Sequence, residues 1–340
     1  MVEQKLIKEK DISLIFGETY EPGSFREQLK EILTFRYLAF LFRPGYEDEE
    51  MERRDFEMNK FKSKRSFLRR LKAPLTIIGI AIVFVISTWA VFGHWISFID
   101  FKAASYDLHF PAYGEPSFEH PLGTGQFGRD VWARLVWGAR ASITMGLASI
   151  AISVTGGVIL GTIAAYKGGW VDNLIMRLGD IISSIPGLVL TIIVVSVMGY
   201  DVKNILLSWG ILGITGYARL MRSAAISQRA MTYVQSAKVS GASEWRIMFG
   251  HILPNSIAPI IIAVSFDIGG MILGLAGLAF LGFGAEGVIE WGRDVSDNKD
   301  SLINAPWSAI WPGIGIIITV LGFMLLGDGL RDALDPRTKV

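Results

Sequence analysis

The sequence predicts an all-α membrane fold, six transmembrane helices preceded by an amphipathic cytoplasmic arm. Three observations predict it. The 33 Lys and Arg and the 32 Asp and Glu of the 340 residues are excluded from several long stretches. As helices of about 20 residues, or roughly 30 Å, such stretches can cross a bilayer. They are also crowded with Gly, Ala and Ser, small residues that let helix backbones approach closely where lipid supplies no hydrophobic drive.

The same composition excludes other classes. At 51% hydrophobic residues the chain is too apolar for disorder. The absence of Cys excludes a disulfide scaffold, thiol catalysis and a Cys-ligated metal. A net charge of +1 argues against a nucleic-acid partner.

In chain order, residues 1–72 read as a cytoplasmic arm. Ser24 and Glu27 form a capping box that opens a helix with Leu29, Ile32, Leu33, Tyr37, Phe40 and Leu41 on one face, ended near Pro44. It contains Arg36 and is too short to span, so it reads as an amphipathic helix lying on membrane lipid. Residues 47–54 are a charged, solvated linker. Lys60, Lys62, Lys64, Arg65, Arg69, Arg70 and Lys72 then crowd the approach to the first apolar stretch. That basic run places the N-terminus in the cytoplasm.

Residues 73–340 form the transmembrane domain. The spans are expected at 74–95, 141–166, 180–200, 204–221, 257–283 and 306–327. The third has Pro186 near its start, the fourth is the shortest and weakest, and the fifth carries one charge, Asp267. Alternation from the basic run puts 96–140, 201–203 and 284–305 outside, and 167–178, 222–256 and the C-terminus inside.

The chemistry-bearing patterns are few. Gly123, Gly125 and Gly128 match G-x-G-x-x-G, but as a dinucleotide fingerprint this needs a strand before it and a helix after it. Here it lies outside the membrane, after Pro121. No Gly-Lys pair exists, so the chain has no P-loop. Of the four His, His94, His109, His120 and His251, none pairs at metal-ligand spacing. His109 and His120 share a loop with Asp107, Glu115 and Glu119, which is a weak metal signal. Neither a Ser/His/Asp grouping nor paired carboxylates lie in the spans. No catalytic, cofactor or metal residues are therefore expected, and the chain is not expected to be an enzyme.

The informative segment is 222–256, too long for a plain connector. Val234, Ala237, Ala242, Trp245 and Phe249 can share one face of a short helix pair interrupted at Gly241, where glycine permits a turn. Pro254 then re-enters the bilayer. The expectation is a cytosolic knob tied rigidly to membrane helices.

Segment 241–254, with Ala237 before it and His251-Ile252-Leu253-Pro254 at its end, resembles the EAA loop of ABC importer permeases. Three further stretches resemble the oligopeptide/dipeptide branch, its C-type subunit in particular. They are His120-Pro121-Leu122-Gly123-Thr124-Gly125 with Gly128-Arg129-Asp130-Val131 and Gly138-Ala139-Arg140; Tyr217-Ala218-Arg219 with Arg222; and the run from Leu325-Leu326-Gly327-Asp328 through Gly329-Leu330-Arg331-Asp332-Ala333-Leu334 to Asp335-Pro336-Arg337. The resemblance covers roughly residues 61–337.

The resemblance implies a type I ABC importer permease fold in the inner membrane. The implied partners are a homologous permease forming a heterodimer, two ABC ATPase subunits and an extracytoplasmic solute-binding protein, with ATP and Mg on the ATPases and no cofactor in this chain. Gln235, Ala237, Gly241, Ala242, Glu244, Trp245, Arg246, His251 and Pro254 would couple to the ATPase. The branch handles oligopeptides and dipeptides, and in some lineages oligosaccharides or nickel chelates. Two departures stand out. Gln235 replaces the usual Glu, with Ser236 for the first Ala, and Leu275 replaces a Glu often found before the run at 278–282. Asp267 is the candidate for the translocation path. The competing reading is a hydrogen bond to a neighbouring helix or subunit.

Overall fold

The computed structural model describes residues 73–97, 99–106 and 110–334. The N-terminal arm with its helix from Ser24 to the region of Pro44, its linker and its basic run, together with Asp107, His109 and the closing Asp335-Pro336-Arg337, lies outside the described residues.

The helices are α1 Pro74–Ile96, α2 Phe101–Tyr106, α3 Val131–Lys167, α4 Gly169–Ser183, α5 Gly187–Met198, α6 Val202–Arg229, α7 Thr232–Val239, α8 Glu244–Ile247, α9 Leu253–Ser256, α10 Ala258–Leu278, α11 Trp291–Asn298 and α12 Trp307–Leu334. Single π-turns, Met248–Ile252 and Ala279–Phe283, precede α9 and follow α10. The one strand-like pairing among the described residues is the isolated bridge between Thr124 and Asp130.

Four of these elements are long and apolar enough to cross a membrane: Pro74–Ile96, Val131–Lys167, Ala258–Phe283 and Trp307–Leu334. The third apolar stretch, expected as one span over 180–200, is instead divided between α4 and α5, which meet at 82°. Pro186 is the reason. It lacks an N–H and disfavours helix in the residue before it, so α4 stops at Ser183 and α5 restarts after Pro186. The fourth stretch lies within α6, whose 28 residues give about 42 Å of helix. Its Asn204, Arg219 and Arg222 leave it less apolar than the four.

The second apolar stretch is longer than its composition suggests. α3 runs 37 residues, about 55 Å, because it begins at Val131. Asp130 caps it, its Oδ1 accepting the Ala133 N–H at 2.6 Å. α3 is the central element, packed along α6 and also against α1 and α10, while α12 lies against α10, α1 and α11.

Glycine builds the α3–α6 seam. A Cβ on Gly157 would sit 2.4 Å from Tyr217 Cβ, and one on Gly161 would sit 2.5 Å from the Ala218 carbonyl oxygen. Ser153 Oγ spans the same seam, donating to the Gly210 carbonyl at 2.8 Å. These contacts fix two backbones side by side, so the small residues here serve close packing.

Candidate functional site

The segment 222–256 is built from its turn outward. Its first eight residues continue α6 to Arg229. After α7 the chain reverses at Gly241, whose φ is +77°. The Gly241 N–H donates to the Lys238 carbonyl at 3.0 Å and the Ala242 N–H to the Ala237 carbonyl at 3.1 Å. This pair of bonds is a Schellman motif with glycine at the left-handed position. Ser243 then caps α8, its hydroxyl accepting the Arg246 N–H at 3.4 Å.

The turn sorts the side chains into two sets. Val234, Ile247, Met248 and Ile252 are buried in a cluster with Tyr166 of α3, Tyr217, Met221 and Ala225 of α6, and Ile260 of α10, with Ala237, Ala242 and Phe249 packed against it. Gln235, Glu244 and Arg246 are exposed, and Trp245 is 64% exposed. Trp245 keeps to the side of Phe249, its ring stacked on that ring at 5.4 Å and 11°, but it stays outside the cluster that buries Val234.

Polar contacts staple this knob to the end of α3. Lys167 pairs with Glu244, Lys238 lies 5.3 Å over the Tyr166 ring, and Arg229 Nη1 donates to the Ala165 carbonyl at 2.9 Å. His251 is half-buried and its carbonyl accepts from Asn255 Nδ2 at 2.7 Å, while Pro254 is exposed in α9.

Asp267 is exposed on α10, and the Tyr217 hydroxyl donates to its Oδ2 at 2.7 Å. Two ion pairs that sequence reasoning missed join α4 to α6. Arg219 Nη2 meets Asp180 Oδ1 at 2.7 Å, and Arg222 meets both oxygens of Asp172 at 2.5 Å. The signal was present in Asp172, Asp180, Arg219 and Arg222 at the margins of apolar stretches, but their pairing needed the fold.

At the other end of α3, Arg134 is buried. Its Nε donates to Asp294 Oδ1 at 2.6 Å and its Nη1 to the Ala104 carbonyl at 3.0 Å. Trp291 Nε1 donates to the Leu135 carbonyl at 3.0 Å, and the Trp291 ring lies against Gly138. Burial pushes the Asp294 carboxyl up, against the opposing pull of Arg134. Glu290 is 7% exposed, and burial raises its pKa from 4.5 to about 7 despite the Ala285 N–H and Arg293. Among the described residues its Oε2 has no hydrogen-bond partner.

The glycine motif at 123–128 belongs to this end. Gly128, with φ +71°, leaves no room for a Cβ, which would lie 2.1 Å from the Phe110 carbonyl oxygen. His120 Nδ1 lies 2.7 Å from Asp130 Oδ2 in a buried pair. Among the described residues no cluster of His, Asp and Glu could hold a metal ion.

Residues 157–340 match the family described as the binding-protein-dependent transport system inner membrane component. Over 279 residues the chain is 39% identical to the dipeptide transport system permease protein DppC of Alkalihalophilus pseudofirmus, covering 81% of this chain and 90% of that one. It is 37% identical over 276 residues to the glutathione transport system permease protein GsiD of Pectobacterium atrosepticum, covering 81% and 90%. It is 38% identical over 266 residues to the probable D,D-dipeptide transport system permease protein DdpC of Escherichia coli, covering 78% and 88%. This chain, with its several apolar helices, belongs to the inner membrane components of binding-protein-dependent transport systems, as an ABC importer permease of the oligopeptide/dipeptide branch.

Proposed function

We propose that the chain is one of two permeases of an ATP-driven importer of oligopeptides or dipeptides. It forms half of the pore and couples to an ATPase through residues 232–254. The observation that carries this reading is the split of the knob. One side is buried among α3, α6 and α10, while Gln235, Glu244, Trp245 and Arg246 stand outward on a turn that glycine fixes.

A rigid projection of this kind moves with the spans. Trp245 is the anchor for a cleft on the ATPase, since exposed aromatic side chains that become desolvated dominate docking energies. ATP binding closes the two ATPase subunits, the knobs follow, and the helix bundles change from inward-open to outward-open. The solute-binding protein then delivers cargo, which is released inside after hydrolysis. In this arrangement the knob and both termini face the cytoplasm, the α11 end faces outward, and six crossings are completed by α6 and the bent α4–α5 pair. Peptide cargo is supported by relatives named for dipeptides, D,D-dipeptides and glutathione.

Replacing Gly241 with Val tests the coupling. A β-branched residue at φ +77° is strained by about 1–3 kcal/mol, enough to shift the turn. Reconstituted complex should still hydrolyse ATP but lose most peptide uptake. Undiminished uptake per ATP hydrolysed would remove the assigned role.

A further inference from the structure

Among the described residues Asp267 is in contact with one polar group, and that group is neutral. Among the described residues the Tyr217 hydroxyl is its partner and no Lys or Arg pairs with it. The other acids near the membrane-crossing part of α6 are compensated, Asp180 by Arg219 and Asp172 by Arg222. An ionisable group inside a span faces a cavity or a partner, not hydrocarbon.

The helix geometry defines the surface on which Asp267 stands. Thr215 and Arg222 turn one edge of α6 towards Gly179 and Asp172 of α4, while Trp209 and Tyr217 turn the other edge towards Gly274 and Asp267 of α10. Between these edges lie Gly216, Arg219 and Ser223, within about 60° of one another at 100° per residue, and all three are exposed. On α10, Gly270 and Gly277 continue from Asp267 along the same side. Among the described residues a Cβ on Gly216, Gly270 or Gly277 would meet nothing within 4 Å. These glycines therefore close no contact among the described residues, unlike Gly157 and Gly161.

The result is an open face with backbone-lined walls and three charged groups. The Arg219–Asp180 pair is 47% and 65% exposed, too polar a surface to lie against lipid. Arg219 cancels Asp180, so Asp267 leaves one negative charge uncompensated on the face. The local field favours a cation.

We propose that Asp267 is a transient binding point for the ammonium group of the cargo, with Tyr217 holding the carboxylate in orientation. The proposal rests on the importer reading and adds the chemical group recognised in the passage. Tyr217 is the positioning residue, since its phenol leaves Oδ1 free to accept from an incoming N–H. The pairing is weak enough to release, because Arg219 already neutralises Asp180 and one carboxylate is left to hold the cation.

The chain has no cysteine, which makes single-cysteine labelling in the assembled complex a direct test. Gly270→Cys and Gly216→Cys place reporters on the open face without a clash. Each is treated with a cationic trimethylammonium-ethyl or an anionic sulfonatoethyl methanethiosulfonate, with and without ATP and Mg, and labelling of this chain is read by mass spectrometry. At Gly270→Cys the cationic reagent should be favoured by about ten-fold relative to a free thiol. Asp267→Asn should abolish that preference and Asp267→Glu should restore it, with a neutral reagent unaffected in all three. If both reporters stay unlabelled in every nucleotide state, the face is covered by the partner permease or lipid and the proposal fails. It also fails if the preference survives Asp267→Asn. Loss of ATP-driven uptake by the Cys-free parent would instead strike at the importer reading, leaving the labelling ratios to stand by themselves.

Discussion

The two ends of α3 are built on opposite plans. At its start, around α2 and α11, charge and indole groups are sunk out of solvent. Arg134 and Asp294 are bonded at 7% and 5% side-chain exposure, and Trp291 is closed against Leu135 and Gly138. At its finish, around α7 and α8, charge is left on the surface. Lys167 and Glu244 pair at 43% and 56% side-chain exposure, and Trp245 and Val239 project at 64% and 90%. Buried ion pairs resist separation because each partner left alone is an uncompensated charge, whereas exposed pairs contribute at most about 1 kcal/mol. The first end is therefore fixed by its own chain, and the second is left with surface to give to another.

The largest effect should come from cutting the buried pair. Arg134→Ala leaves the Asp294 carboxylate unpaired and should cost about 3–5 kcal/mol, read as a fall in the thermal midpoint of the detergent-solubilised chain. The double change Arg134→Met with Asp294→Leu should recover most of that loss. If Arg134→Ala unfolds no earlier than the parent, the contrast between the two ends is wrong.

Next is the buried Glu290. Its carboxyl titrates near 7 in the fold and near 4.5 when exposed. As pH rises through that window the unfolded chain gives up its proton first, so stability falls between the two values and is flat above 7. The accumulated loss is about 3 kcal/mol. Glu290→Gln should flatten the slope of thermal midpoint against pH between 5 and 8, relative to the parent. A parent with no such slope would place Glu290 in water.

The smallest effect on stability should be at the exposed end. Trp245→Ala should change the unfolding free energy by no more than about 0.5 kcal/mol. The same change should nonetheless reduce co-purification of the ATPase subunit by at least about ten-fold, the scale of an anchor residue. A large stability loss with unaltered assembly would reverse the assignment of the two ends.

Much of this was legible in the residues. Long apolar stretches, with one charge at most, marked α1, α10 and α12 because lipid-facing helices carry their signal in composition. Gly241 marked the turn because glycine enters the left-handed region with no Cβ penalty, and Asp267 stood out as a lone charge in an apolar run. What was hidden depended on residues far apart in the chain. Arg134 and Arg140 looked like loop charges, so α3 was expected to begin near Ala141, yet Asp294 neutralises Arg134 from 160 positions away. Arg219 and Arg222 looked like the end of a span, but Asp180 and Asp172 accept them and α6 runs on to Arg229. Pro186 was visible, but a proline near the start of an apolar run reads equally as the first turn of a helix or as a corner. The outward direction of Trp245 was expected from the resemblance alone; the apolar pattern by itself grouped it with Val234, which the fold buries.

The glycine seam between α3 and α6 has a mechanical consequence. Two backbones locked at Gly157 and Gly161 behave as one stiff beam, and α3 alone is 37 residues long. A tilt of about 5° about the middle of a beam of about 55 Å swings each tip by about 2 Å in opposite directions. On the proposed coupling, a small push at the knob would be delivered across the bilayer as a displacement of comparable size and reversed sense, with no need for any residue along the way to change its neighbours.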